Sequence, residues 1–161
     1  MTGSCSSSSS GTPRRTHPAA RHAAARHAAR LAAVQALYQM EITGIGVNTI
    51  IVEFTEHRLK RADHEHFDAL VTGVVHQQAA IDGAIADALA AGWRLERLDS
   101  TLRAIVRAGV YELMHMDHIP VAVIIDDYLD TAHAFFNKEQ TAFVNGVLDS
   151  LGRTLRPNSF S

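Results

Sequence analysis

From residue 31 onwards, apolar side chains return every three or four positions, in one segment after another. That spacing turns one stripe of an α-helix inward and gives a half-buried strand no consistent face. Leu31, Val34 and Tyr38 open the series, and Leu37 and Met40 widen it. They belong to a helix running from about Ala19 to Thr43, which Gly44 and Gly46 end. Asn48 is placed to cap a second helix with Ile51, Phe54, Thr55 and Leu59 on one side. Asp63 is placed to cap a long third run, whose inner face is Phe67, Leu70, Val71, Val74, Ile81, Ile85 and Leu89. Gly73 and Gly83 weaken its continuity.

Gly92 and Trp93 start a connection in which Trp93 is expected to anchor the core. Asp99 can cap the next helix, with Leu102, Ile105, Val106, Val110 and Leu113 inside. Pro120 supplies a stop and a restart, and a helix from Val121 to about Phe136 follows. The run VAVII also suits a short buried strand, but no partner strand exists elsewhere, so helix is the reading. Phe143, Val144, Val147, Leu148 and Leu151 define a last helix ending near Gly152 and Pro157. The expected fold is all-α: a compact bundle of six or seven helices, without a solenoid repeat. Its 161 residues suit one domain. Residues 1–20 read as a disordered Ser- and Arg-rich leader, 21–157 as the helical domain and 158–161 as a C-terminal tail.

Several function classes drop out. No apolar run reaches the roughly 18 residues that span a bilayer. A lone cysteine, Cys5, excludes an internal disulfide framework and a multi-cysteine zinc site, and no role is assigned to it. The leader has no apolar stretch of a secretory signal; its composition also fits an organelle transit peptide, but it runs straight into a core-forming helix. The expectation is a cytoplasmic protein. Phosphate-binding, dinucleotide, nucleophile-elbow and zincin motifs are absent. His64 and His66 point to different helix faces, and His115 and His118 straddle a helix end, so no metal is expected. Asp126, Asp127 and Asp130 read as a solvated acidic face. Neither enzyme chemistry nor a cofactor is expected.

The charge distribution says more than its sum. The first 40 residues carry Arg14, Arg15, Arg21, Arg26 and Arg30 and no acid, whereas the rest of the chain balances to −7. His22, Arg26 and Arg30 form one stripe at i, i+4 and i+8, flanked by Arg21 and His27. Cations at a helix N-terminus oppose the macrodipole, and a bound polyanion removes that conflict. Guanidinium groups suit phosphates and base edges through paired donors. The alternative is that Arg and Ala are merely good helix formers on a surface.

RHAARLAAVQALYQ (Arg26 to Gln39), FDALVTGVVHQQAAIDGAI (Phe67 to Ile85), LRAIVRAGVYEL (Leu102 to Leu113), IPVAVIIDDYLDTAHAF (Ile119 to Phe135) and FVNGVLDSL (Phe143 to Leu151) together resemble the NusB family of bacterial transcription antitermination factors. The resemblance spans about residues 22–157 and implies two packed helical subdomains. It implies a protein that binds single-stranded boxA RNA of ribosomal RNA transcripts together with ribosomal protein NusE. A larger complex with NusA, NusG and RNA polymerase is implied too.

The resemblance also assigns residues. Arg26, His27 and Arg30 match the family's N-terminal arginine motif, with His27 and Ala28 where arginine is often found, and Arg21 extends it. Tyr38 matches the tyrosine of QALY and serves either RNA or the core. Arg107 is a second phosphate contact or a surface ion pair. Phe143 and Asn145 resemble an RNA- and partner-facing turn; the ring suits stacking and the amide suits hydrogen bonding, but core roles fit both. Glu139 falls at an acidic position near the NusE interface. Two other readings stand: a self-associating scaffold, a homodimer without RNA binding, and a separate accessory to a ribosomal RNA methyltransferase.

Overall fold

The computed structural model describes residues 18–90 and 92–160, and among them there are seven α-helices and no strand. They are α1 (Pro18–Thr43), α2 (Val47–His57), α3 (His64–His76), α4 (Gln78–Ala88), α5 (Ser100–His115), α6 (Val121–Phe135) and α7 (Lys138–Leu155). Short 3-10 turns occupy Leu95–Arg97 and Pro157–Phe160. Arg14, Arg15, Cys5 and nearly all of the expected leader lie outside the described residues.

Two groups of helices pack together, as expected. α1, α2 and α3 form one; α4 to α7 form the other, and α1 and α3 lie against the central α5. Phe54 of α2 stacks on Phe67 of α3 with ring centroids 5.5 Å apart. Ile105 and Leu113 of α5, Ile124 and Tyr128 of α6 and Leu148 of α7 are fully buried around the second centre. The VAVII segment is helical and starts α6 directly after Pro120.

Local chemistry explains most boundaries. Gly44 ends α1 at φ 75°, a left-handed conformation that glycine adopts without a Cβ penalty. Asp63 accepts from the His66 amide at 3.0 Å, and Asp99 from the Thr101 and Leu102 amides at 2.8 and 3.3 Å. Asn137 and Gln140 close a reciprocal capping box on α7. Asn48 does not cap α2: that helix begins at Val47 after Gly46, without a side-chain cap. The long third run breaks at Gln77 into α3 and α4. Gly73 has a packing role, because a Cβ there would stand 2.1 Å from Tyr111 Cζ. At the end of α5, Arg156 donates to the carbonyls of Glu112, Leu113, Met116 and Ile119 at 2.5 to 3.0 Å. It thereby satisfies acceptors that a helix C-terminus leaves unpaired.

α1 sinks a face different from the expected one. Ala29, Arg30, Ala32, Ala33, Val34 and Ala36 are buried, Leu31 is half-buried and Tyr38 is exposed. Small alanines let α1 approach its neighbours closely, which draws residue 30 inside. Trp93 is no core anchor either: it is 54% exposed on the connection after α4.

Candidate functional site

Arg30 and Arg26 both come from α1, one helical turn apart, and the fold separates them. Arg30 is 2% exposed. Its Nε and Nη2 donate to the two carboxylate oxygens of Glu112, each at 2.8 Å, a forked pairing. Its Nη1 donates to Asp127 at 2.5 Å. Tyr128 donates its hydroxyl to the same Glu112, and His66 Nε2 lies 3.3 Å from Glu112 Oε1 without hydrogen-bond alignment. Asp127 also pairs with His27 Nδ1. α1, α3, α5 and α6 therefore meet in one buried ionic cluster.

Burial pushes the Glu112 carboxyl up, but the Arg30 fork and His66 more than reverse that and hold it at about 2. Burial disfavours the Arg30 charge as well; its bonds to Glu112 and Asp127 outweigh that and raise it above its ordinary value. Burial, together with the Glu112 charge, keeps the Tyr128 phenol protonated well beyond its usual range. This cluster holds helices together and presents no guanidinium to solvent. The expectation that Arg30 faces a phosphate is corrected accordingly: its donors are already taken by carboxylates of α5 and α6.

The outer end of α1 differs. Arg21 is exposed and Arg26 half-buried, and neither has an ion pair among the described residues. Arg26 Nε is shielded from water and has no hydrogen-bond partner. His27 stands between the two regimes, its side chain 43% exposed while paired with Asp127. No acidic residue occupies the first turn of α1 to complement the helix dipole.

The remaining candidates lie elsewhere. Tyr38 is 41% exposed, beside Ile42, Arg58 and Phe135 in a groove of about 420 Å³. Arg107 is forked onto Asp82 at 2.8 and 2.9 Å, so the ion-pair alternative describes it. It lines a second groove, of about 840 Å³, with Leu37, Met40, Glu41, Trp93 and Arg103. Phe143 and Asn145 sit within α7 and not on a turn, a correction that follows from the capping box starting that helix six residues earlier than Phe143. Phe143 is half-buried against Trp93, Asn145 is exposed, and Glu139 is exposed in the first turn of α7. Arg26 and Phe143 are thus not one patch: Arg26 lies fifteen residues before Glu41, about 22 Å along α1 at ~1.5 Å per residue.

Sequence reasoning missed Glu112, Asp127 and Trp93. Glu112 had a usable signal, since it stands three residues after Gly109 and three before His115 on an otherwise apolar face. Asp127 departs from the solvated acidic face expected of Asp126, Asp127 and Asp130: it follows the inward spacing of Ile124 and Tyr128 closely enough to turn to Arg30 and His27, while Asp126 and Asp130 are exposed. Trp93 gave no sign of its exposure.

Comparison with known proteins covers the same helices. The NusB family model matches residues 27–153. Transcription antitermination protein NusB of Caulobacter vibrioides is 49% identical over 79% of this chain and 91% of its own length. Its counterpart in Mesorhizobium japonicum is 51% identical over 79% and 88%. T. maritima NusB superposes with a TM-score of 0.73 at 28% identity, covering 84% of this chain and 96% of that one. A structure of antitermination factors NusB and NusE in complex with double-stranded RNA gives 0.71 at 25% identity, covering 80% and 96%. With the helices in the same order and well over half of the sequence matched, the chain belongs to the NusB family.

Proposed function

We propose that this chain is an RNA-binding transcription antitermination factor that recognises boxA-type RNA of ribosomal RNA transcripts together with ribosomal protein NusE. The observation that carries this reading is the free outer end of α1. Arg21 and Arg26 are cations without carboxylate partners among the described residues, in the N-terminal third of α1, whose first turn carries no acid. They suit phosphates, with His27 beside them. The strand continues along the bundle towards Asn145 and Phe143, where a ring supplies stacking. The acidic body repels unspecific RNA and complements a basic ribosomal protein, with Glu139 on that face. NusA, NusG and RNA polymerase complete the assembly. Function is recognition without catalysis, in the cytoplasm; no helix among the described residues is long and apolar enough to cross a membrane.

A gel shift with a boxA oligonucleotide, with and without NusE, tests this. The expected result is a shift that NusE strengthens, that rising salt weakens and that a scrambled oligonucleotide does not reproduce. Equal retention of both oligonucleotides, or none of either, overturns the reading.

A further inference from the structure

Trp93 is the chain's one tryptophan, and half of its surface is left to water. It follows Gly92, whose φ of 93° turns the chain sharply after α4. One side of the indole leans on the Phe143 ring, with centroids 5.0 Å apart and planes 31° from parallel.

The segment that follows it is tied down. Arg103 is buried, and its Nη1 donates to the carbonyls of Leu95, Glu96 and Leu98 at 3.2, 3.3 and 2.9 Å. Its Nη2 reaches Glu41 and the Ser100 hydroxyl. The Leu95 and Leu98 side chains of that segment are buried. Arg103 thus ties the backbone that follows Trp93 to α5, which lowers the ordering cost of binding there. Arg94 and Arg97 follow it in the chain, both exposed and neither ion-paired among the described residues. Glu96 is the one acid between them.

A flat apolar face next to guanidinium groups that no carboxylate has taken is the combination with which proteins hold unpaired nucleotides. We infer that the exposed face of Trp93, backed by Phe143 and followed in the chain by Arg94 and Arg97, stacks an unpaired base of the bound RNA. The inference rests on the RNA-binding reading above. It gives the strand a second anchor at the opposite end of α1 from Arg21 and Arg26, because Trp93 lines the same groove as Met40, Glu41 and Gly44. Arg103 and Arg107 in that groove are taken by Glu41 and Asp82, which leaves Arg94 and Arg97 for the phosphates.

Because Trp93 is the sole tryptophan, its emission reports this contact directly. Dye-labelled single-stranded boxA RNA is titrated into the full-length chain, with NusE present and absent, while RNA anisotropy and tryptophan emission are followed together; NusE is used as a tryptophan-free variant. Anisotropy should rise and emission should be quenched with one midpoint. Trp93→Ala should weaken binding about 5- to 150-fold, the range of one lost base stack. Trp93→Phe should recover most of the affinity, and both variants should melt like the parent. If anisotropy shows binding while emission stays constant and Trp93→Ala binds like the parent, the stacking assignment falls and the RNA-binding reading stands. If anisotropy never changes, both fall. If NusE alone changes the emission and RNA adds nothing further, the surface is a protein contact and the inference is overturned.

Discussion

Arg26 and Arg30 are the same residue type, four positions apart on one helix, and they have opposite fates. Arg30 meets Glu112 of α5 and Asp127 of α6 and is buried by them. Arg26 has no carboxylate partner among the described residues, and its Nε is left without a bond. The lesson is that a basic stripe on a helix is divided by what stands opposite it. Where the bundle supplies acids, the arginine becomes part of the fold; where it supplies none, as around Arg26, the charge remains available to an external anion.

The largest expected effect tests the buried half. Arg30→Ala leaves Glu112 at 0% exposure without its guanidinium, with only the Tyr128 hydroxyl and His66 beside it. Breaking one side of such a pair costs about 3–5 kcal/mol, so urea unfolding should show a large fall in midpoint. A loss within 1 kcal/mol would mean that the cluster is open to water. A double Arg26→Ala, Arg30→Ala variant is consequently a poor test of RNA binding, because it reports mostly unfolding.

Acid comes next. Glu112 titrates near 2 in the fold against 4.5 ordinarily, so the folded state binds this proton less readily than the unfolded state. Its contribution to stability is fully present above pH 4.5 and is lost as pH falls from there to about 2. That shift corresponds to something on the order of 3 kcal/mol. Glu112→Gln should flatten this limb of the stability–pH curve; an unchanged limb would place the titrating carboxylate elsewhere.

Asp127→Asn should have a smaller effect. Arg30 keeps its Glu112 fork and loses one charged acceptor, a change of about 1–3 kcal/mol. The same substitution releases His27 from its carboxylate and removes a negative charge beside the basic edge. RNA affinity, measured at a temperature where both proteins are folded, should rise slightly. A drop would show that Asp127 holds that edge in its binding geometry.

The sequence made the helices legible because caps and apolar spacing act locally. Asp63, Asp99 and Gly44 each satisfy or end a helix through their own neighbours, and each boundary is where those residues place it. Depth is not local. Whether Arg30 is inside depends on alanines that let α1 close on α5 and on acids 82 and 97 positions away. Tyr38 and Trp93 illustrate the same limit from the other side: nothing near them in sequence says that no helix covers them. The turn at Phe143 and Asn145 is implied by the family resemblance alone; the apolar spacing from Phe143 to Leu151 reads as helix, and the Asn137–Gln140 box starts α7 well before them.

The smallest effect on stability belongs to Arg26, and it separates the two arginines most cleanly. Arg26→Ala removes a side chain with no ion pair to lose from a helix in which alanine is the better former, so stability should stay within about 0.5 kcal/mol. Its consequence should appear in the salt dependence of RNA binding. Each phosphate contact to a single strand contributes a slope of about 0.7 in log K against log salt. Arg26→Ala should therefore lower the slope by about 0.7, and adding Arg21→Ala by about as much again. The intercept should move in the same direction for boxA and scrambled RNA alike, because a phosphate contact carries no sequence information. An unchanged slope in a folded Arg26→Ala protein would place the anion elsewhere, and the contrast between the two arginines would then be one of burial alone.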